Sequence, residues 1–258
     1  MSKLAFLTGA SSGIGQALAL RFYQAGYRLA LVARRPDDLR AWAGSAGWQD
    51  ARFQVYGADV AVVDSILGAA QACIEAQGLP DVVIACAGIS VGVDTARRQD
   101  LDVMAHLFAI NNLGMAATFH PFLGAMRSRG SGTMVGIASV NGIRGMPGHG
   151  AYCASKAAVI SYCESLRVEM HGTGVRVVTI SPGYVDTPLT RGNRYSMPFL
   201  TPAAVFADRA LVAIEAGASY RVIPWQMAIA ARILRILPNF VFDRLFAGRP
   251  RKRKADET

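Results

Sequence analysis

A tyrosine and a lysine four residues apart open a long helical pattern in the sequence Tyr152-Cys153-Ala154-Ser155-Lys156. Because side chains four residues apart lie on one face of a helix, the Tyr152 phenol and the Lys156 ammonium are expected to face the same space. A phenol has a pKa of about 10 and exchanges protons poorly at neutral pH, whereas a neighbouring cation favours the phenolate and lowers that pKa. The pair is a candidate general acid/base, and a chance pairing on an ordinary helix is the alternative.

A glycine-rich turn near the start of the chain provides a second chemical signal. The apolar residues 4–7 lead into Thr8-Gly9-Ala10-Ser11-Ser12-Gly13-Ile14-Gly15, and a helical pattern follows and ends near Gly26. Glycines let the backbone approach a pyrophosphate closely, and the first turn of a helix offers unpaired N–H groups to it. This strand, turn and helix predict a dinucleotide phosphate site, and a turn without a ligand is the alternative.

The end of the second predicted strand bears on the choice of nucleotide. Residues 27–33 form this strand, which ends in Arg34 and Arg35 with no acidic residue at Ala33. An acidic side chain near this position contacts the ribose 2′-hydroxyl of NAD, whereas arginine accommodates the 2′-phosphate of NADP. The sequence therefore favours NADP(H), with surface arginines of no specific role as the alternative.

Apolar strands alternate with helical patterns along the chain. Further strands are predicted at residues 53–56, 81–88, 132–138 and 175–180, and helices at residues 65–77 and 101–127. Strands that are apolar on both faces belong to parallel sheets covered by helices on both sides. The sequence thus predicts a single α/β domain over residues 1–223, followed by an amphipathic helical extension with a basic tail over residues 224–258.

Charge and cysteine content limit the classes of protein to which the chain can belong. The chain has 258 residues and a net charge of +9, and from Arg221 onward nine basic residues face three acidic ones, which gives +6. The basicity belongs to the tail, so binding to nucleic acid is not implied. The four cysteines show neither a C-x-x-C pair nor a metal-ligand spacing, and no signal peptide precedes the first strand. These features predict a cytoplasmic protein without a metal site.

Seven short motifs follow one another in a fixed order: Thr8-Gly9-x-x-x-Gly13-x-Gly15, Asp59-Val60, Ala87-Gly88, Asn111, Ser139, Tyr152-x-x-x-Lys156 and Pro182-Gly183 with Thr187. In this order the chain resembles the short-chain dehydrogenase/reductase family over about residues 3–223. The resemblance implies a Rossmann-type, doubly wound, seven-stranded parallel sheet. It also implies NADP(H)-dependent interconversion of an alcohol and a ketone or aldehyde in a homodimer or homotetramer.

The resemblance assigns a role to each catalytic candidate. Ser139 would hold the substrate carbonyl, and Tyr152 would transfer the proton. Lys156 would bind the nicotinamide ribose and lower the pKa of the phenol, and Asn111 would hold a water that connects Lys156 to solvent. The implied cofactor-binding residues are Gly9, Ser11, Ser12, Gly13, Ile14, Gly15, Arg34, Arg35, Asp59, Val60, Ala87, Gly88, Tyr152, Lys156, Pro182, Gly183, Val185 and Thr187.

Structural interpretations compete with some of these roles. Ser139 could close a strand, Asn111 could cap or kink its helix, and Thr187 before a proline could be a helix N-cap. One residue also departs from the family pattern, since Cys86 stands where the family usually has asparagine. We interpret Cys86 as a small buried apolar residue rather than a reactive thiol.

Two later segments are predicted to govern the substrate. Residues 189–200, which include Arg191, Arg194, Tyr195, Met197 and Phe199, form either a mobile lid or an ordinary loop. An apolar stripe of helical spacing comprises Trp225, Ile229, Ile233, Ile236 and Leu237, and a basic run follows at residues 249–254. The stripe is expected to cover the pocket or pack on another subunit, with an anionic membrane surface as the alternative.

The sequence therefore predicts an NADP(H)-dependent oxidoreductase for a small-molecule carbonyl or alcohol substrate that could be apolar or lipid-like. Two other classes compete with it. One is a non-catalytic NADP-binding regulator, and the other is a protein associated with the membrane surface through its C-terminal segment.

Overall fold

The structure, a computed structural model, describes residues 2–193 and 196–248. Its strands are β1 (Leu4–Thr8), β2 (Arg28–Ala33), β3 (Phe53–Gly57), β4 (Val82–Ala85), β5 (Gly132–Ile137), β6 (Val175–Pro182), β7 (Val185–Asp186), β8 (Thr201–Pro202) and β9 (Tyr220–Ile223). Seven of them form one parallel sheet in the order β3-β2-β1-β4-β5-β6-β9, and β7 pairs with β8. This confirms the predicted Rossmann-type α/β fold.

Ten α-helices lie around the sheet in the part of the chain that is described. They are α1 (Gly13–Gln24), α2 (Pro36–Ser45), α3 (Val63–Gln77), α4 (Arg98–Phe108), α5 (Gly114–Arg129), α6 (Gly150–Glu169), α7 (Pro188–Arg191), α8 (Ala203–Glu215), α9 (Trp225–Ile236) and α10 (Asn239–Phe246). None of the helices in the described ranges is both long enough and apolar enough to cross a bilayer.

Two apolar layers enclose the sheet. Successive side chains of a strand point to opposite faces, so Phe6 packs in one layer and Leu7 in the other. The layer around Leu7 includes residues of α1, α2 and α8, and the layer around Phe6 includes residues of α3, α5 and α6. Because both faces are covered, both sets of strand side chains are apolar, which explains the continuous apolar runs in the sequence.

The helix predicted over residues 101–127 is present but is not uniform. Helical structure runs from Arg98 to Arg129, and a π-helical turn at Ala109–Leu113 separates α4 from α5. Such a turn rotates the following side chains relative to a regular α-helix and is common at functional sites. Asn111 lies in this turn and is buried.

The seventh strand was expected from the resemblance alone, and no strand was located for it in the sequence. It is β9, a four-residue edge strand that pairs in parallel with β6. Only Val222 and Ile223 of its residues are buried, so the short apolar run gives little strand signal. The chain then turns directly into α9.

Candidate active site

A cavity of about 430 Å³ lies at the carboxyl ends of the central strands, where parallel α/β sheets bind their ligands. The turn after β1 forms one wall, and residues after β2, β4, β5 and β6 form the others. Of the predicted cofactor residues, those that line the cavity are Gly9, Ser11, Ser12, Gly13, Ile14, Gly15, Arg34, Asp59, Val60, Ala87, Gly88, Tyr152, Lys156, Pro182, Gly183, Val185 and Thr187. The topology therefore brings together motifs that are far apart in the sequence.

The glycine-rich turn after β1 packs closely against neighbouring backbone atoms. Gly9 has a positive φ of 71°, and a Cβ atom there would lie 2.8 Å from the backbone of Ala87. A Cβ atom at Gly15 would lie 2.0 Å from the carbonyl oxygen of Gly9. Side chains at either position would push the turn apart, so the glycines keep the start of α1 open to a ligand. This cradle fits a pyrophosphate.

The two adjacent arginines after β2 have different surroundings. Arg34 lines the cavity. The side chain of Arg35 is 80% exposed, and its Nε lies 2.8 Å from a carboxylate oxygen of Asp38 at the start of α2. Arg35 does not line the cavity, because the chain turns there and directs this side chain to solvent, and contact of either arginine with the nucleotide stays a prediction.

Tyr152 and Ser139 converge at the inner end of the cavity. Ser139 follows β5, Tyr152 lies in the first turn of α6, and both side chains line the cavity. Burial raises the pKa of Tyr152 to about 12, and the neighbouring Ser139 side chain opposes that rise in part. Ser139 also caps the 3₁₀ turn Val140–Gly142, since its Oγ accepts a hydrogen bond from the Asn141 N–H at 3.2 Å. Ser139 thus has a structural role and also lines the cavity, and its contact with a substrate carbonyl stays a prediction.

Lys156 is buried beside Tyr152, on the same face of α6 as predicted. Its Nζ lies 5.9 Å from the centre of the Tyr152 ring and donates a hydrogen bond to the carbonyl of Ile137 at 2.9 Å. Burial lowers the pKa of Lys156 to about 8, since the charged ammonium loses hydration. The expected decrease of the phenol pKa by Lys156 is not found in this structure. Burial raises the pKa of Tyr152 instead, and the side chain that opposes this rise is Ser139.

Asn111 braces the turn after β4. Its Oδ1 accepts a hydrogen bond from the N–H of Ile89 at 2.9 Å, and its Nδ2 donates to the Ile89 carbonyl and to Ser155 Oγ, each at 3.0 Å. A Cβ atom at Gly88 would lie 3.2 Å from Asn111 Oδ1 and 3.5 Å from Lys156 Nζ, so the amide and the ammonium flank the same glycine. The π-helical turn directs Asn111 there, and its role in holding a water stays a prediction.

Thr8 is a site residue that the sequence interpretation did not assign. Its Oγ1 accepts hydrogen bonds from the N–H groups of Cys86 and Ala87 at 3.2 and 3.3 Å. The threonine thereby fixes the turn in which Cys86 replaces the asparagine of the family. Burial raises the pKa of the Cys86 thiol to about 12, so the thiol is protonated at neutral pH and agrees with an unreactive wall residue.

Thr187 is a helix N-cap that also lines the cavity, and its contact with the nucleotide stays a prediction. It precedes α7 as the N-cap, and its backbone N–H donates to Thr190 Oγ1 at 3.1 Å. It also lines the cavity, where its Cβ would lie 3.2 Å from a Cβ atom added to Gly13. Leu189 and Thr190 line the same cavity, although the sequence placed them in the lid segment only.

A second, mainly apolar cavity of about 590 Å³ lies beside the first. A small cavity of about 50 Å³ lies between the two. It shares Ser139 and Tyr152 with the first cavity, and Val140 and Tyr184 with the second. The hydroxyl groups of Ser139 and Tyr152 thus lie where a molecule in the apolar cavity would meet a molecule in the first.

The C-terminal helices cover the apolar cavity, although not through the predicted stripe. The inner side of α9 contributes Met227, Ala230, Ala231 and Leu234 to the cavity wall. The predicted stripe lies on the opposite side, where Trp225, Ile229, Ile233 and Ile236 are exposed and Leu237 is half-buried. The residues on the inner side are mostly alanine and methionine, so the larger side chains of the stripe gave the stronger hydrophobic pattern in the sequence.

One arginine fastens both C-terminal helices to the domain. Arg144, after the 3₁₀ turn, donates hydrogen bonds to the carbonyl oxygens of Leu234 and Leu237 at the end of α9, and to Asn239 Oδ1 at the start of α10. Its guanidinium lies 3.9 Å from the ring centre of Phe242. A cation at the last carbonyl groups of a helix opposes the negative end of the helix dipole, so this contact holds the cover in place.

The predicted lid lies against both cavities. Leu189 and Thr190 line the first cavity, and Ser196, Pro198 and Phe199 line the apolar one. Arg194 and Tyr195 lie outside the described residues. Movement of this segment as a lid stays a prediction.

Comparison with known proteins agrees with this geometry. The family model for short chain dehydrogenases matches residues 3–197, and the chain belongs to this family of oxidoreductases. An uncharacterized oxidoreductase from Myxococcus xanthus is 37% identical over 244 residues, which cover 93% of this chain and 95% of the relative.

Two solved structures share the fold. An alcohol dehydrogenase from the archaeon Thermococcus sibiricus, complexed with 5-hydroxy-NADP, has a TM-score of 0.75 at 25% identity, with 86% of this chain and 96% of that chain covered. A short chain dehydrogenase/reductase from Burkholderia phymatum, in complex with NAD, has a TM-score of 0.79 at 23% identity, with 90% and 92% covered. Both nucleotides therefore occur among proteins of similar fold.

Proposed function

We propose that this protein is an NADP(H)-dependent reductase of ketones or aldehydes that carry an apolar chain. The observation that carries the proposal is the position of the Ser139 and Tyr152 hydroxyl groups between a glycine-walled cavity and an apolar one. A carbonyl group beside these hydroxyls would have its chain in the second cavity.

The first cavity suits NADP(H), which supplies a hydride to the carbonyl carbon when it is bound. The turn from Gly9 to Gly15 would hold the pyrophosphate, and Arg34 would accept the 2′-phosphate. The neighbouring Arg35 pairs with Asp38, so Arg34 alone of the two supports NADP(H) over NAD.

The hydroxyl groups perform the proton chemistry at the carbonyl oxygen. Ser139 donates a hydrogen bond to this oxygen, and Tyr152 gives it the phenolic proton as negative charge develops there. Because the pKa of Tyr152 is about 12, the phenol is protonated at neutral pH and holds the proton that reduction of a carbonyl requires. The ammonium of Lys156 stabilises the phenolate that remains, since it is 5.9 Å from the ring centre.

A panel of linear ketones and aldehydes of increasing chain length, followed by NADPH absorbance, tests this function. We expect kcat/KM to rise with chain length and Tyr152→Phe to abolish turnover while NADPH binding, measured by fluorescence, is retained. Equal behaviour of wild type and Tyr152→Phe in every assay would instead support a non-catalytic NADP-binding regulator. A preference for small polar ketones would contradict the apolar substrate.

A further inference from the structure

We infer that the outer side of α9 and α10 is a docking surface for anionic lipid membranes. This inference does not depend on the proposed reaction, since it concerns the side of these helices that faces away from the cavities. The apolar side chains that carry it, here called the outer apolar face, are Trp225, Ile229, Ile233, Ile236, Phe240 and Leu245.

A surface helix that buries one side usually exposes polar residues on the other, whereas the exposed side chains here are large and apolar. Ile236 is 80% exposed, Phe240 76% and Trp225 63%. On α9, residues 225, 229, 233 and 236 recur at helical spacing, so they form one continuous stripe and not isolated surface residues. Contiguous apolar surface of this kind marks a contact with a membrane or a protein.

The charges beside the stripe favour a membrane. Arg232 and Arg235 are exposed beside it on α9, and Arg244 is exposed on α10. Asp243 is the single acidic residue between positions 225 and 248, and five more basic residues follow in the sequence of residues 249–254. Apolar side chains flanked by arginines match acyl chains below anionic head groups.

A second copy of the chain fits this surface less well. If two copies met here about a two-fold axis, each would present the same arginines, with Asp243 as the one acidic partner on each side. Like charges in apposition oppose association, whereas phosphate or carboxylate head groups neutralise them. The structure also places the apolar cavity directly under these helices, so a membrane-bound enzyme would hold its apolar pocket next to the lipid.

Co-sedimentation of the full-length protein with vesicles tests the inference. One vesicle contains phosphatidylcholine alone, and the other contains phosphatidylcholine with about one third phosphatidylserine. We expect binding to the anionic vesicle that weakens as salt is added. The double variant Ile229→Glu/Ile233→Glu should bind at least about tenfold more weakly, because two apolar side chains no longer enter the lipid.

Matched control variants distinguish a loss of binding caused by the outer apolar face from a general effect of charge. Leu101 on α4 and Val212 on α8 are 47% and 66% exposed, against 50% and 51% for Ile229 and Ile233, so Leu101→Glu/Val212→Glu adds two carboxylates elsewhere and should leave binding unaltered. Arg232→Gln/Arg244→Gln should weaken binding by about 25-fold, at about fivefold for each arginine. Exposed arginines of other helices provide the control pair Arg127→Gln/Arg167→Gln, which should not weaken it to this extent.

Two results would overturn the inference. The first is the absence of wild-type binding to the anionic vesicle, and the second is equal binding by wild type and Ile229→Glu/Ile233→Glu. In the first case, a halved mass of that variant in sedimentation equilibrium would assign the face to an interface between copies instead. Retention of NADPH fluorescence by each variant confirms that it is folded, and carbonyl reduction in solution reports on the proposed reaction separately.

Discussion

Replacement of Lys156 by methionine should change how stability depends on pH. The folded-state pKa of Lys156 is lowered from 10.5 to about 8 by burial. Between these values the unfolded chain binds the proton and the folded chain does not, so the free energy of unfolding rises as the pH increases. Methionine has no such proton, so the variant lacks this rise.

The magnitude follows from the two pKa values. Between about pH 7 and about pH 9.5, a lysine with these values contributes about 2 kcal/mol to the rise in unfolding free energy. The upper limit stays below the ordinary pKa of tyrosine, so Tyr152 is protonated in both states over most of this range. The stability of wild type relative to Lys156→Met should therefore increase by about 2 kcal/mol from the lower pH to the higher.

Urea denaturation at several pH values measures this difference, at one protein concentration so that any self-association is constant. The control is Lys3→Met, because Lys3 is the other lysine in the described residues and is exposed. Wild type and Lys3→Met should show the same slope with pH. A relative stability of Lys156→Met that stays constant within about 0.5 kcal/mol would refute burial as the cause of the lowered pKa.

Further variants test the cofactor site, the pocket and its cover. Arg34→Ala should raise KM for NADPH at least about tenfold through loss of a charged hydrogen bond and leave KM for NADH unchanged, whereas Arg35→Ala should alter neither. Ala230→Phe should shift the substrate preference toward shorter chains, by about fourfold in kcat/KM for each methylene excluded, and Ala228→Phe, on the same helix outside the cavity wall, should not. Arg144→Leu should lower the free energy of unfolding by about 2 kcal/mol in urea denaturation, since it leaves the carbonyl groups at the end of α9 without their charged donor. An unchanged KM for NADPH in Arg34→Ala, an unchanged chain-length preference in Ala230→Phe or an unchanged stability of Arg144→Leu would contradict the corresponding contact.

Local sequence was sufficient for the parts of the site that depend on one element. The turn from Gly9 to Gly15 and the Tyr152 and Lys156 pair were predicted correctly in position, because helix periodicity and glycine conformations are local properties. The nearly continuous apolar strands likewise indicated a covered parallel sheet. The edge strand β9 was not located, since only its last two residues are buried.

The sequence pattern does not show which of two adjacent residues of the same type faces a cavity. Arg34 and Arg35 are equivalent in the sequence, and the turn into α2 decides that one lines the cavity and the other pairs with Asp38. The apolar stripe of α9 was expected to cover the pocket or pack on another subunit, with a membrane surface as the alternative, and the side of α9 that covers the pocket carries Met227 and Ala231 instead. Hydrophobic periodicity identifies an amphipathic helix without showing which neighbour it contacts.

Helix periodicity, glycine turns and apolar strands in the sequence are enough to predict the class of fold, the order of the motifs and the candidates for proton transfer. The direction of the pKa changes at Tyr152 and Lys156, the different surroundings of Arg34 and Arg35, and the cover over the apolar cavity depend on tertiary contacts. Helix and turn patterns reflect short-range sterics, whereas hydration and charge at a site depend on residues brought together from distant parts of the chain.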